Sequence, residues 1–290
     1  MVEIQRLIMA DWSAANGPGP VRPAKDRCWV GRLDLTATEP VLVYCRTRTA
    51  ALAQIAAWIG DAPGQTLIGF DFPFGYPSGS GLPGGRALCE FLMSRIADDD
   101  RGRNNRFAAA AALNRVVNPK GEGPFWGCPA SLSVAGLSPY KPRPWPAHIP
   151  EFRMVEDGLK GIGIQSVWKL AYPASVGSQV LMGMSAIGRL LARPEMANAR
   201  LWPFETAWEA GLPEVTIAEI WPNLFYPDLR ADPRVAKYEI RDAAQVAATL
   251  VAVHDACLTG RIAGMLAAPA GLNGDQRLCV TMQEGWIVGA

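Results

Sequence analysis

Apolar runs that stop on a carboxylate constrain this chain more than any other feature. Leu7-Ile8-Met9-Ala10 ends on Asp11, and Leu67-Ile68-Gly69-Phe70 ends on Asp71. Runs of this kind read as strands buried on both faces, as expected of parallel strands covered by helices. A similar run, Val215 to Ala218, ends on Glu219, and Asp242 stands where an amphipathic helix opens. A strand fixes its terminal carboxylate in space, and several such ends can converge on one point. Converging carboxylates repel one another unless they share protons or bind a hard cation such as Mg²⁺ or Mn²⁺.

The elements around these acids follow from local pattern. Ile4–Asp11, 27–35 and 40–47 read as an antiparallel meander of three strands, interrupted by a Gly/Pro-rich turn over 16–23. Thr49 reads as the cap of a helix over 50–59, with Leu52, Ile55, Ala56 and Ile59 on one face. The strand over 66–72 follows, then a long excursion, 73–213, opening with Pro and Gly punctuation. Helices are expected in it at 86–97, 104–117 and 175–191, around an irregular Pro-rich stretch at 118–150. The sheet resumes at 214–221. Asp242 reads as the N-cap of a helix running to about Leu258, and 286–288 as a short final strand. The expected architecture is α/β: a mixed five-stranded sheet with flanking helices, its core formed by 1–72 and 214–290 and its large helical and irregular insertion by 73–213.

Charge is unevenly spread. Between Arg101 and Arg193 there are 12 lysines and arginines against 4 acidic residues, in a chain whose total is +1. A basic middle set in an acidic frame suits a polyanionic substrate, although charge asymmetry also arises from solvated surface. Within this segment Arg103 and Arg106 cluster at a predicted helix start, and Lys169 and Gln179 flank another. All four are candidates for phosphate contact. Phe125, Trp126, Tyr140, Trp145 and Trp168 read as packing within the cap, with base stacking as the alternative. Asp98-Asp99-Asp100 reads as a solvated helix end and His254 as a core residue.

Other classes find less support. No apolar run approaches the roughly 20 residues of a membrane span. The N-terminal run reads as a strand, not a signal peptide. The six cysteines are scattered without a Cys-x-x-Cys pair, which fits a cytoplasmic protein without disulfides or zinc. Gly81-Leu82-Pro83-Gly84-Gly85 lacks the Lys-Ser/Thr of a phosphate-binding loop.

The motifs Ala10-Asp11-Trp12-Ser13-Ala14, Gly69-Phe70-Asp71-Phe72-Pro73-Phe74-Gly75, Glu219-Ile220-Trp221-Pro222 and Arg241-Asp242-Ala243-Ala244, in this order, carry a resemblance. The chain resembles the RNase H-like proteins of the domain-of-unknown-function family 429, distantly related to RuvC-type resolvases. The resemblance covers both ends of the chain and the basic middle only loosely. It implies a nuclease-type centre in which Asp11 bridges two metal ions, Asp71 and Asp242 each hold one, and Glu219 is a fourth ligand or a water-orienting base. Such a centre hydrolyses phosphodiester bonds of a nucleic acid or nucleotide with Mg²⁺ or Mn²⁺. RuvC-type enzymes commonly carry a second acid one turn along the last helix, where this chain has Gln245. A non-catalytic binding or regulatory protein on the same scaffold is therefore the alternative. Each acid also has a plainer reading: Asp11 as a turn residue, Asp71 as a strand terminator, Asp242 as a cap worth about 1 kcal/mol, and Glu219 as the partner of an arginine.

Overall fold

The computed structural model describes residues 4–61, 64–159, 163–173, 175–208 and 211–290. Strand β1 (Ile4–Asp11) lies inside the sheet, and its alternation explains why its run over 7–10 is apolar without a break. Ile8 and Ala10 join one core with Val30, Ile68 and Phe70, while Leu7 and Met9 join a second core with Leu33 and Leu67. A strand with helices on both faces has no polar side to show. β2 (Cys28–Asp34) and β3 (Val41–Cys45) complete the antiparallel meander, with Ala10 opposite Val30 and Cys28 opposite Cys45. β4 (Gln65–Phe70) pairs parallel to β1 on its other side.

Helix α1 (Arg48–Gly60) begins two residues earlier than the sequence suggests, because Thr47 is the cap: its hydroxyl accepts the Ala50 N–H at 3.2 Å. In the excursion, α2 (Gly85–Met93), α3 (Arg106–Val117), the short α4 (Met154–Gly158) and α5 (Gly177–Leu191) are helical. The excursion also returns to the sheet. β5 (Ala199–Leu201) pairs parallel to β6 (Val215–Glu219), which in turn pairs parallel to β4. The sheet thus has six strands in the order β3-β2-β1-β4-β6-β5, not five. Three residues are too few to show a period, so β5 leaves no pattern in the sequence. The expected final strand is a single parallel bridge between Ile287 and Glu219.

After β6 come two short helices, α6 (Tyr226–Leu229) and α7 (Pro233–Ala236), and then the long α8 (Arg241–Leu258). α8 packs across β1 and β2, burying Val246, Leu250 and Val253 in the second core. Its close approach depends on Gly31 of β2, where a Cβ would meet Leu250 at 2.6 Å and Val246 at 2.8 Å. On the opposite face α1, α2 and α5 cover the sheet. α5 docks beside the end of β4 because Gly183 leaves room for the Phe72 ring, which is 1% exposed. Among the described residues no helix is long and apolar enough to cross a membrane.

Gly183→Ala drives a methyl into the Phe72 ring in a close-packed interior. It should lower stability by about 1–3 kcal/mol, read as a lower urea midpoint at unchanged slope. An unchanged midpoint would show that Phe72 has room to move.

Candidate functional site

Ala10 lies opposite Phe70 in the β1–β4 register, so Asp11 and Asp71 leave the sheet side by side at its C-terminal end. Ligands of open α/β sheets bind at this end of the strands. Asp242 joins them from the first turn of α8. It is the second helical residue, not the N-cap: Ile240 holds the cap position and no side chain caps the helix. Its carboxylate is thereby free to reach across the chain, where Oδ2 accepts the Asp26 N–H at 2.5 Å. Asp26 holds a left-handed backbone at φ 57, and its carbonyl accepts from Ser13 Oγ at 2.9 Å. An aspartate tolerates this conformation better than most residues, and such conformations gather at functional sites.

The three aspartates face a cavity of about 500 Å³, lined also by Asp26, Arg106 and Gln179. Asp71 Oδ1 accepts the Trp12 N–H at 2.7 Å. Among the described residues the Asp11 carboxylate has no hydrogen-bond partner, and no cation forms an ion pair with Asp11, Asp71 or Asp242. All three carboxyls are held above their ordinary value. For Asp11 burial comes first, followed by repulsion from Asp71, Asp242 and Asp26. Burial also dominates at Asp71, opposed by the Trp12 N–H and reinforced by Asp242. At Asp242 burial is opposed by the Asp26 N–H.

Among the described residues no three His, Cys, Asp or Glu side chains are already drawn into a metal-holding group. The donor set nonetheless has the chemistry of a hard divalent site: oxygens only, mutually repelling and, among the described residues, in no ion pair.

The other residues singled out in the sequence divide sharply. Arg106 opens α3 and lines the aspartate cavity. Among the described residues its guanidinium bonds only neutral groups, Ser178 Oγ at 3.1 Å and Asn104 Oδ1 at 2.8 Å. Burial, with Arg48 nearby, pushes its value down to about 10. Gln179 lines the same cavity and is held by its Nε2 donating to the Trp12 carbonyl at 2.7 Å. Arg103 lies outside: it is exposed and pairs with Asp99 at 2.7 Å. Lys169 lines neither this cavity nor its neighbour and donates to the Pro173 carbonyl at 2.7 Å.

Glu219 is engaged elsewhere. Its Oε1 and Oε2 accept Arg153 Nη2 at 2.6 Å and Nη1 at 2.8 Å, and Oε2 also accepts the Phe74 N–H at 3.0 Å. Arg153 is 0% exposed and also grips Glu156 and the Glu284 carbonyl. Burial alone would push the guanidinium down, but Glu156 and Glu219 together push it up. Burial raises the Glu219 carboxyl, against the pull of Arg153. Glu219 is thus the arginine partner of its plainer reading, and it lines a second cavity that shares Asp71, Ser175, Gln179 and Gln245 with the first.

Asp98 also departs from the sequence reading: its side chain is 2% exposed and bound by Arg48 at 2.5 Å. Phe125 and Trp168 are fully buried, packed with Tyr76 as cap core. Arg153 and Asp26 were not legible as site residues, because their partners lie far off in sequence. Compared with protein-family models, with curated proteins and with solved structures, the chain finds no match.

Two outcomes follow from this electrostatic arrangement. Carboxyls raised in the folded state bind protons more tightly there than in the unfolded chain. Without metal, stability should therefore fall as pH rises from about 4 through the raised values. Asp11→Asn removes one repelling charge, so without metal it should melt above wild type at pH 7, by roughly 2–4 °C per kcal/mol relieved. The gap should close below pH 4 or so. A lower melting point at pH 7 would show that the Asp11 carboxylate makes a stabilising contact. Glu219→Gln turns an acceptor of the buried Arg153 guanidinium into a donor facing it, losing a charge-assisted bond, and should cost about 3 kcal/mol by urea titration. A neutral result would show that Glu156 alone balances the guanidinium.

Proposed function

We propose that this chain is a metal-dependent hydrolase of phosphodiester bonds in a nucleic acid or nucleotide, built on an RNase H-like scaffold. One observation carries the reading. Asp11, Asp71 and Asp242, from two adjacent strand ends and a helix start, face one cavity, and among the described residues none of them forms an ion pair. The strand order supports the scaffold: a three-stranded antiparallel meander, then two parallel strands, with the first acid on the central strand. β5 extends that pattern at its edge.

Asp11, Asp71 and Asp242 would hold Mg²⁺ or Mn²⁺, whose preference is for hard oxygen ligands. When bound, such an ion lowers the pKa of water and offsets charge developing on phosphoryl oxygens. The protein's own groups do the rest. Arg106 has no carboxylate partner among the described residues and supplies a cation opposite the aspartates, suited to a phosphate oxygen. Gln179, pinned by the Trp12 carbonyl, presents its Oε1 to the same space. Asp26 holds Asp242 in place through its backbone N–H. Arg153 keeps Glu219 neutralised, so that acid does not add to the repulsion in the cavity.

Gln245 favours a second reading, a binding protein on the same scaffold. It stands where a fourth acid would strengthen the ion site, and its amide instead bonds Asn223.

The test is cleavage of labelled single- and double-stranded DNA and RNA with Mn²⁺ and with Mg²⁺. Metal-dependent cleavage is expected from the wild type, reduced to background by Asp11→Asn. Arg106→Ala should lower kcat/KM by roughly 10- to 100-fold, the worth of a hydrogen bond to a charged group. Metal at about 100 times its Kd should stabilise the wild type by about 2.7 kcal/mol and Asp11→Asn by much less. No cleavage of any substrate, with both proteins responding alike to metal, would sink the hydrolase and leave the binding protein.

A further inference from the structure

Beside the aspartate cavity, across Asp71 and Gln179, opens the second cavity, of about 450 Å³. That volume is within the range of small-ligand sites, which pair apolar walls with a few placed polar groups. Phe72, Ile220, Trp221 and Pro222 supply apolar wall. Trp221 lies two residues beyond the end of β6 and is half-buried, and its indole N–H has no partner among the described residues. Opposite in character are two amides, Asn223 after β6 and Gln245 on α8. Gln245 Nε2 donates to Asn223 Oδ1 at 3.1 Å. This bond consumes one donor and one acceptor of the pair. Asn223 Nδ2 and Gln245 Oε1 then remain without partners among the described residues. Turning both amides over exchanges the roles and still leaves one donor and one acceptor facing the ligand.

A flat ligand that stacks on an aromatic side chain and offers an adjacent donor and acceptor along its edge is a nucleobase. Unstacked bases are recognised in this way, by hydrogen bonds to the Watson–Crick edge together with stacking, and paired donors and acceptors of Asn and Gln read base edges. We propose that this cavity takes one unstacked nucleobase of the substrate, with Trp221 as its stacking surface and the Asn223–Gln245 amide pair as its edge reader. The proposal rests on the phosphodiester reading of the aspartates, since the shared wall of Asp71 and Gln179 sets the base pocket one nucleotide's reach from the ion site. It also gives Gln245 a role of its own: the residue in the place of a fourth acid reads the base.

The test is calorimetric binding of the four ribonucleoside 5′-monophosphates, with ribose 5-phosphate as the probe lacking a base, to the full chain with and without Mg²⁺. At least one nucleotide should bind about 10-fold or more tighter than ribose 5-phosphate, in line with the worth of one stacked base. Trp221→Ala should erase that margin. Asn223→Asp replaces a donor with an acceptor at a half-buried position, and should change which base is preferred while the fold, checked by circular dichroism, is kept. Asp11→Asn should keep the base margin. Equal binding of nucleotides and ribose 5-phosphate, no binding of any nucleotide, or an unchanged profile in both Trp221→Ala and Asn223→Asp would overturn the pocket. Cleavage without base discrimination removes the pocket and leaves the hydrolase. Discrimination without cleavage leaves the pocket and removes the hydrolase.

Discussion

A guanidinium with no solvent contact holds the two halves of this molecule in register. Arg153 comes from the middle of the excursion, Glu219 from the end of β6, Glu156 from α4, and the Glu284 carbonyl from the last turn of the chain. The Glu284 carboxylate in turn accepts the N–H groups of Ser78 and Met154. Taking an ion pair out of water costs more than the pairing returns unless the remaining hydrogen-bonding capacity is filled. Here it is filled, so the pairing offsets its own burial, and the cluster acts more as a geometric fixture than as a source of surplus stability. It tolerates one arrangement of the strand end, the loop after β4 and the chain terminus, and that arrangement shapes the wall between the two cavities.

The same contrast separates what sequence can show from what it cannot. β1 and β4 are legible because burial on both faces makes their runs over 7–10 and 67–70 apolar without a break, and burial is a property that each strand carries alone. Asp11 and Asp71 are legible for the same reason, as the first polar residue after such a run. Pairing across the sequence is not legible. Glu219 ends its run just as Asp71 does, but whether a guanidinium waits for it depends on Arg153, 66 positions earlier. Asp98 sits in a run of three acids that looks solvated, and Arg48 removes it from water. A two-residue difference in where α8 begins also changes what Asp242 does, from capping its own helix to accepting the Asp26 N–H.

The basic middle illustrates how charge misleads when counted and informs when placed. Arg103 and Arg106 are three residues apart, yet Arg103 spends its charge on Asp99 in solvent, while Arg106 is half-buried among neutral partners facing the aspartates. The distinction arises from α3 beginning at Arg106, which turns that side chain inward. Net charge over the segment carries none of this.

The excursion between β4 and β6 separates two strands that lie side by side. Closing a long loop adds only a logarithmic entropy cost, so the separation weighs little on stability but heavily on the order of events, since distant pairings form late. During synthesis Asp11 and Asp71 emerge early, with β1 and β4 able to pair at once. Asp242 emerges only after the whole excursion and β6. A growing chain therefore lacks the full set of carboxylates until Asp242 has been made. On the proposed function, the capacity to cut phosphodiesters arises late in synthesis, once the last carboxylate has joined two that the first quarter of the chain already supplies.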